Sequence, residues 1–211
     1  MANSHNYDYD PEAAGHADDN ANRIDASGPF IGTFEYAEAV TSSQKGTEGM
    51  KLGFDDGHGG KCELTLWTRK ADGTPLFGFN FVQAMMTIFG LKGLKAVKGK
   101  VYTYDQENNK RRGLEEDGQV FPDLLKKPIG LMLQKELKTS QAGKDFFDMN
   151  VWGVFHPTSR LTASEIREKK AKPEKFEKMV KSIRDKDSRK KKEAAGTEPD
   201  QPALGAEAGN F

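Results

Sequence analysis

The clearest pattern in the chain is a strict alternation. In KCELTLWTR, Lys61 to Arg69, Leu64 and Leu66 fall on one side, and Glu63, Thr65, Trp67 and Arg69 on the other. That period of two predicts a half-buried strand with a polar and aromatic outer face. FIGTFEYAEAV alternates more weakly and predicts a first strand over residues 30–40. A second strand is expected over 50–56, where Met50, Leu52 and Phe54 oppose Lys51, Gly53 and Asp55. The turn clusters DDGHGG and ADGT bound the Lys61–Arg69 strand on either side. The period then changes. Phe81, Val82, Met85, Met86, Ile88 and Phe89 have helical spacing, which predicts a helix over 80–89 that stops at Gly90.

Residues 91–128 carry no clear period, and NNKRRGLEEDG reads as a polar loop. Alternation resumes in IGLMLQKELKTS, where Leu131, Leu133 and Leu137 share a face, and in DFFDMNVWGVF. There Phe147, Met149, Val151 and Phe155 are expected on one side, with Phe146, Asp148, Asn150 and Trp152 on the other. After Pro157 the pattern is helical again. Thr162 or Ser164 can cap it, Pro173 interrupts it, and Ile166, Phe176, Met179 and Ile183 form its apolar side. Three strands, a helix and two strands is the order of an OB-fold. The expected class is therefore mainly β: a five-stranded OB-fold Greek-key barrel, a helix between strands three and four, a C-terminal helix, and disordered termini.

Composition sharpens the boundaries. Residues 1–28 hold six acidic and one basic side chain and little apolar matter, which predicts a disordered acidic arm. The barrel is expected over 29–158 and a basic helix over 159–187. Residues 160–192 hold fourteen basic against six acidic side chains. The tail over 188–211 is expected to be disordered, and it is acidic at Glu193, Glu198, Asp200 and Glu207. The net charge of zero thus conceals a polarised layout. A single cysteine, Cys62, excludes an internal disulfide framework and fits a reducing cytoplasm. No apolar run reaches the ~20 residues of a membrane span, and the N-terminus lacks the basic and apolar regions of a secretion signal. A cytoplasmic protein without membrane contact is expected.

An enzyme would need a catalytic constellation. The best carboxylate and imidazole cluster, Asp55, Asp56 and His58, lies in a glycine-rich turn, where these are ordinary turn residues. GLKGLKAVKGK has glycines and lysines at the wrong spacing for a phosphate loop. The expectation is a non-enzymatic protein without cofactor or metal. Binding of a single strand needs cations for phosphates and exposed rings on which bases stack. The candidate rings are Trp67, Tyr102, Tyr104 and Trp152. The candidate cations are Lys45, Lys51, Arg69, Lys100, Arg111, Arg112, Lys138 and Lys144. Lys135 falls in phase with an apolar face.

Three stretches carry a resemblance: FIGTFEYAEAVTSSQKGTEGMKLGFD with its Thr-Ser-x-x-Lys-Gly loop at Thr41–Gly46, ELTLWTR, and KKPIGLMLQKELKTSQAGKDFFDMNVWGVF with its turn at Gly143–Lys144. Over about residues 29–156 the chain resembles a family of bacteriophage single-stranded DNA-binding proteins. The resemblance implies an OB-fold that binds single-stranded DNA without sequence readout during phage replication or recombination, in the host cytoplasm. It places the Lys45 loop, Trp67 and Arg69 along the groove. The segment over 92–127 is longer than the family pattern. The chain ends in Phe211, as many bacterial single-strand binders do, but its tail is only sparsely acidic. Contacts of that tail with replication or recombination proteins follow as an expectation, and dimerisation would lengthen the short track of one barrel. The rival readings are a protein-interaction or recombination-mediator module, and a metal-dependent nuclease at Asp55, Asp56 and His58.

Overall fold

The computed structural model describes residues 23–105, 110–140 and 142–189, with the backbone alone for 102–105 and 110–116. The chain forms β1 (Gly28–Thr41), β2 (Glu48–Asp55), β3 (Lys61–Arg69), α1 (Phe77–Phe89), β4 (Val97–Asp105) and β5 (Lys110–Val120). A 3-10 turn at Pro122–Leu124 leads to β6 (Ile129–Thr139) and β7 (Asp145–Phe155), then α2 (Ala163–Arg167), α3 (Glu174–Ser182) and β8 (Lys186–Asp187). The architecture is mainly β, and eight strands join one hydrogen-bonded sheet where five were expected.

Strand β1 organises the sheet. Its first residues, Gly28 to Gly32, pair with Leu133 to Ile129 of β6; from Thr33 to Thr41 it pairs with Asp55 to Glu48 of β2. One long strand therefore serves two halves. The halves wrap around a single core that includes Phe34, Leu52, Phe54, Leu64, Leu66, Leu131, Leu133, Met149 and Val151. Because β1–β2–β3 and β1–β6–β7 are antiparallel chains of neighbours, β3 and β7 run parallel, with no ladder between them. The segment before β1 bridges that gap at one end. Ile24 N–H donates to Lys61 O at 3.0 Å, and the Arg23 guanidinium donates to Phe147 O at 3.0 Å. Ile24 is itself buried, so order begins ahead of the expected Pro29.

Helix α1 covers the other part of the core with Val82 and Met85. It starts earlier than the apolar spacing predicts. It ends as expected at Gly90, whose φ of 65° lets Leu91 N–H reach Met86 O at 2.8 Å. No helix among the described residues is long and apolar enough to cross a membrane.

Three expectations are corrected. Residues 97–120 form a hairpin, not a polar loop: β4 and β5 pair along their length, while β5 meets β1 only at Glu38–Val120. The hairpin's described side chains, at 97–101 and 117–120, are all exposed or half-buried, so they give no alternation of buried and exposed positions to read. The C-terminal segment is two short helices and a strand, broken before Pro173 as the proline requires. Phe155 faces away from Met149 and Val151. Gly153 pairs with Met132 but Val151 with Leu133, so Trp152 is an extra, bulged residue that inverts the alternation after it. Val154 enters the core, and the Phe155 ring meets Phe176 of α3 at 4.7 Å.

Candidate nucleic-acid interface

The outer face of β1–β2–β3 is built on two glycines. Gly49 and Gly53 lie four residues apart on one face of β2, about 13 Å along the strand. Each makes room for a ring from a neighbouring strand. Gly49 pairs with Trp67 of β3, and a Cβ there would stand 2.8 Å from Cε3 of the indole. Gly53 pairs with Tyr36 of β1, and a Cβ there would collide with the phenol ring. Tyr36 reaches this face because a bulge at Glu35 shifts the register between Phe34, which is buried, and Tyr36. Between the rings lie Lys51, Thr65 and Glu63. The Tyr36 hydroxyl donates to Glu63 at 2.7 Å, and Lys51 stands 3.7 Å from the same carboxylate.

The two ends of the face differ in charge. At the Tyr36 end, Lys61 bridges Glu35 at 2.7 Å and Asp55 at 3.1 Å. The Asp55 carboxyl is held below its ordinary value by the Gly57 amide and by Lys61. At the Trp67 end, Lys45, Arg69 and Lys70 are exposed and form no ion pair among the described residues. Lys45 reaches this end through its turn: Ser42 and Thr47 close the β1–β2 loop, and Gly46 packs beside Ala71, just past β3. Arg69 stacks 4.9 Å from the Phe79 centroid.

Helix α1 completes the site. A Cβ at Gly78 would collide with the Trp67 backbone, so this glycine lets the helix start directly against β3. Phe77 then stands beside Trp67 and packs edge-on against Phe81 at 5.0 Å. The result is a cleft of about 310 Å³ lined by Thr65, Trp67, Phe77, Phe81 and Asn150 among others. Trp67 is 41% exposed and Phe77 70%. Side by side at one cleft, the two rings form an exposed apolar patch of the kind that marks a binding surface.

The other residues singled out from sequence fall elsewhere. Trp152 is exposed, as expected, but lines a second groove on the far side of α1. Lys51 is tied to Glu63. Lys138 is held by Asp148 at 3.0 Å and Glu136 at 3.2 Å; burial opposes its charge, and these carboxylates raise its pKa overall. Lys100 pairs with Asp117 at 2.8 Å out on the β4–β5 arm. Lys144 is exposed in the β6–β7 turn. Lys135 lies over the Phe147 ring at 4.6 Å. The side chains of Tyr102, Tyr104, Arg111 and Arg112 lie outside the described residues, as do the Phe211 tail and the acidic arm before residue 23. Asp55 and Asp56 accept backbone N–H groups of the turn: Gly57 at 2.7 Å for Asp55, His58 and Gly60 at 2.8 Å for Asp56. Among the described residues no group of three His, Cys, Asp or Glu is placed to hold a metal. Burial pushes the Cys62 thiol up to about 12.

Sequence reasoning missed Tyr36, Phe77 and Phe79. The signal for Phe77 was present in PLFGFNF, where a glycine flanked by phenylalanines opens the helix. Tyr36 was hidden by the bulge: plain alternation from Phe34 puts it on the core side, and the extra residue at Glu35 turns it to the face of Trp67. No protein-family model matches the chain, and no curated protein matches it.

Proposed function

We propose that the protein binds single-stranded DNA without sequence preference, through the cleft and outer face at Trp67. On this reading β1, β2, β3, β6 and β7 are the five strands of an OB barrel, with the β4–β5 arm inserted after α1. The long shared β1, the helix after β3 and the parallel course of β3 and β7 support that reading. The observation that carries it is the meeting of exposed rings, Trp67 and Phe77, with the cations Lys45, Arg69 and Lys70, which form no ion pair among the described residues, at one end of the sheet. Bases stack on rings of any sequence, and cations meet the phosphates between them. The cleft offers no nucleophile with an adjacent base, so the reading is non-enzymatic. A role in phage replication or recombination, in the host cytoplasm, rests on the sequence resemblance alone.

The test is tryptophan fluorescence during titration with poly-dT at about 50 mM and about 200 mM salt. Three phosphate contacts give a salt slope of about −2, hence roughly 20-fold weaker binding over that range. Quenching that weakens in this way supports the reading. An absence of binding at the lower salt refutes it and reassigns the rings to a protein interface.

A further inference from the structure

A second groove lies across α1 from the first. It has a volume of about 280 Å³, and its walls include Phe81, Ala84, Trp152, Ser164, Lys175 and Met179. The two grooves share Phe81. Phe81 is therefore the ridge between them, and Phe77, 70% exposed on the wall of the first groove, packs against it.

Two features show that the second groove is shaped with care. Trp152 is the bulged residue of β7, so the ladder is interrupted at the position that turns this ring out of the sheet. The floor is fixed by a buried carboxylate. Glu165 accepts Thr162 N–H at 2.8 Å and Lys175 N–H at 2.6 Å, which locks α2 to the start of α3. That lock sets the Lys175 ammonium over Ser164 at 2.7 Å and 3.7 Å from Glu168, at the groove wall. Lys178, one turn further along the same side of α3, is exposed and has no ion pair among the described residues. The groove thus has an exposed indole, an apolar wall, a cation shared with Glu168 at Lys175 and a second cation beside it at Lys178.

We propose that a bound single strand does not end at Trp67 but crosses the ridge at Phe81 and enters this second groove, where Trp152 stacks a base and the basic α2–α3 segment meets the phosphates. The proposal rests on the single-strand reading above. Charge favours a nucleic acid over an acidic protein surface only together with the rings: two indoles and a bare phenylalanine in series suit successive bases.

The experiment uses the full chain carrying Trp67→Phe, which keeps a stacking face at that position and leaves Trp152 as the sole tryptophan. Binding of an oligothymidylate of about 16 nucleotides, the upper end of the site sizes of one barrel, is followed by anisotropy of a dye on the DNA. Trp152 emission is read in parallel. Quenching of Trp152 that saturates with the anisotropy, together with roughly 5- to 150-fold weaker binding of the same oligonucleotide after Trp152→Ala, is the expected result. Trp152 is an exposed ring on a bulge, and a melting curve of each variant keeps folding apart from binding. DNA that binds while Trp152 emission stays unmoved, or equal affinity with and without the Trp152 ring, overturns the extended track and leaves the first groove standing. DNA that fails to bind even the unsubstituted chain refutes the single-strand reading, and this extension with it.

Discussion

At the scale of single residues, the interface depends on what the strands leave out. Gly49 and Gly53 have no side chain, and Trp67 and Tyr36 occupy the space that a Cβ would fill. The effect of each ring on binding is separable from its effect on folding. Trp67→Ala removes an outer-face ring at 41% exposure, so thermal stability should change by only a few degrees. Affinity for poly-dT should fall by about 1–3 kcal/mol, the usual worth of one stacked base; titration by DNA-dye anisotropy beside a melting curve measures both. A loss of folding with no separate loss of binding would refute the assignment. Gly53→Val should act the other way round. It forces the Tyr36 ring off β2 and breaks its bond to Glu63, costing about 1–3 kcal/mol of stability by overpacking. A urea midpoint that does not move would show that the ring relocates without strain.

At the scale of elements, legibility followed the presence of a core. Lys61–Arg69 was readable residue by residue because Leu64 and Leu66 alternate against solvent. The helix end at Gly90 was readable because its left-handed conformation favours glycine. Two bulges were not readable, since an extra residue at Glu35 or Trp152 costs one ladder position and carries no sequence signature of its own. Each shifts parity, which is why Tyr36 was overlooked and Phe155 assigned to the wrong side. The aromatic and basic candidates were found by type, but their grouping was not, because pairing of Lys51, Lys100 and Lys138 with acids is a tertiary property. The β4–β5 arm was missed because its described side chains, at 97–101 and 117–120, include none that is buried. The same isolation makes a prediction. Replacing residues 98–119 by a short Gly-Ser connection should leave the far-ultraviolet signature of the body and lower the melting temperature by only a few degrees, because the arm meets β1 at a single register pair. If the arm's Arg111 and Arg112 meet phosphates, the salt slope of DNA binding shrinks by about 0.7 for each phosphate that is no longer neutralised. Collapse of the whole fold would mean that the arm seals the sheet beyond that one pair.

At the scale of the molecule, the polarised charge serves closure as well as binding. β1 leaves β6 at Gly28–Leu133, and β6 runs on to Thr139 with that edge exposed. The C-terminal segment fills the place: β8 pairs in parallel with Glu136 and Leu137, and Ser188 N–H donates to Leu137 O at 2.9 Å. Glu136 is the clasp. Its carboxylate meets Lys186 at 2.7 Å, Ser188 at 2.7 Å, Asn150 at 2.9 Å and Lys138 at 3.2 Å. Lys186 foremost, then Ser188 and Lys138, hold its pKa down at about 2, against 4.5 for a free glutamate. A carboxyl depressed on folding contributes stability that is fully present above its unfolded value and is lost as pH falls through the folded one. The window therefore runs from about pH 4.5 down to about pH 2. Solvent around Lys186 screens the clasp, so its contribution is about 1–2 kcal/mol. Wild type and Glu136→Gln should differ most in urea midpoint near pH 7 and converge as the pH falls through that window. A difference that stays constant with pH would mean that Glu136 acts by shape, as a neutral hydrogen-bonding side chain would, and that the tail strand is not held by charge.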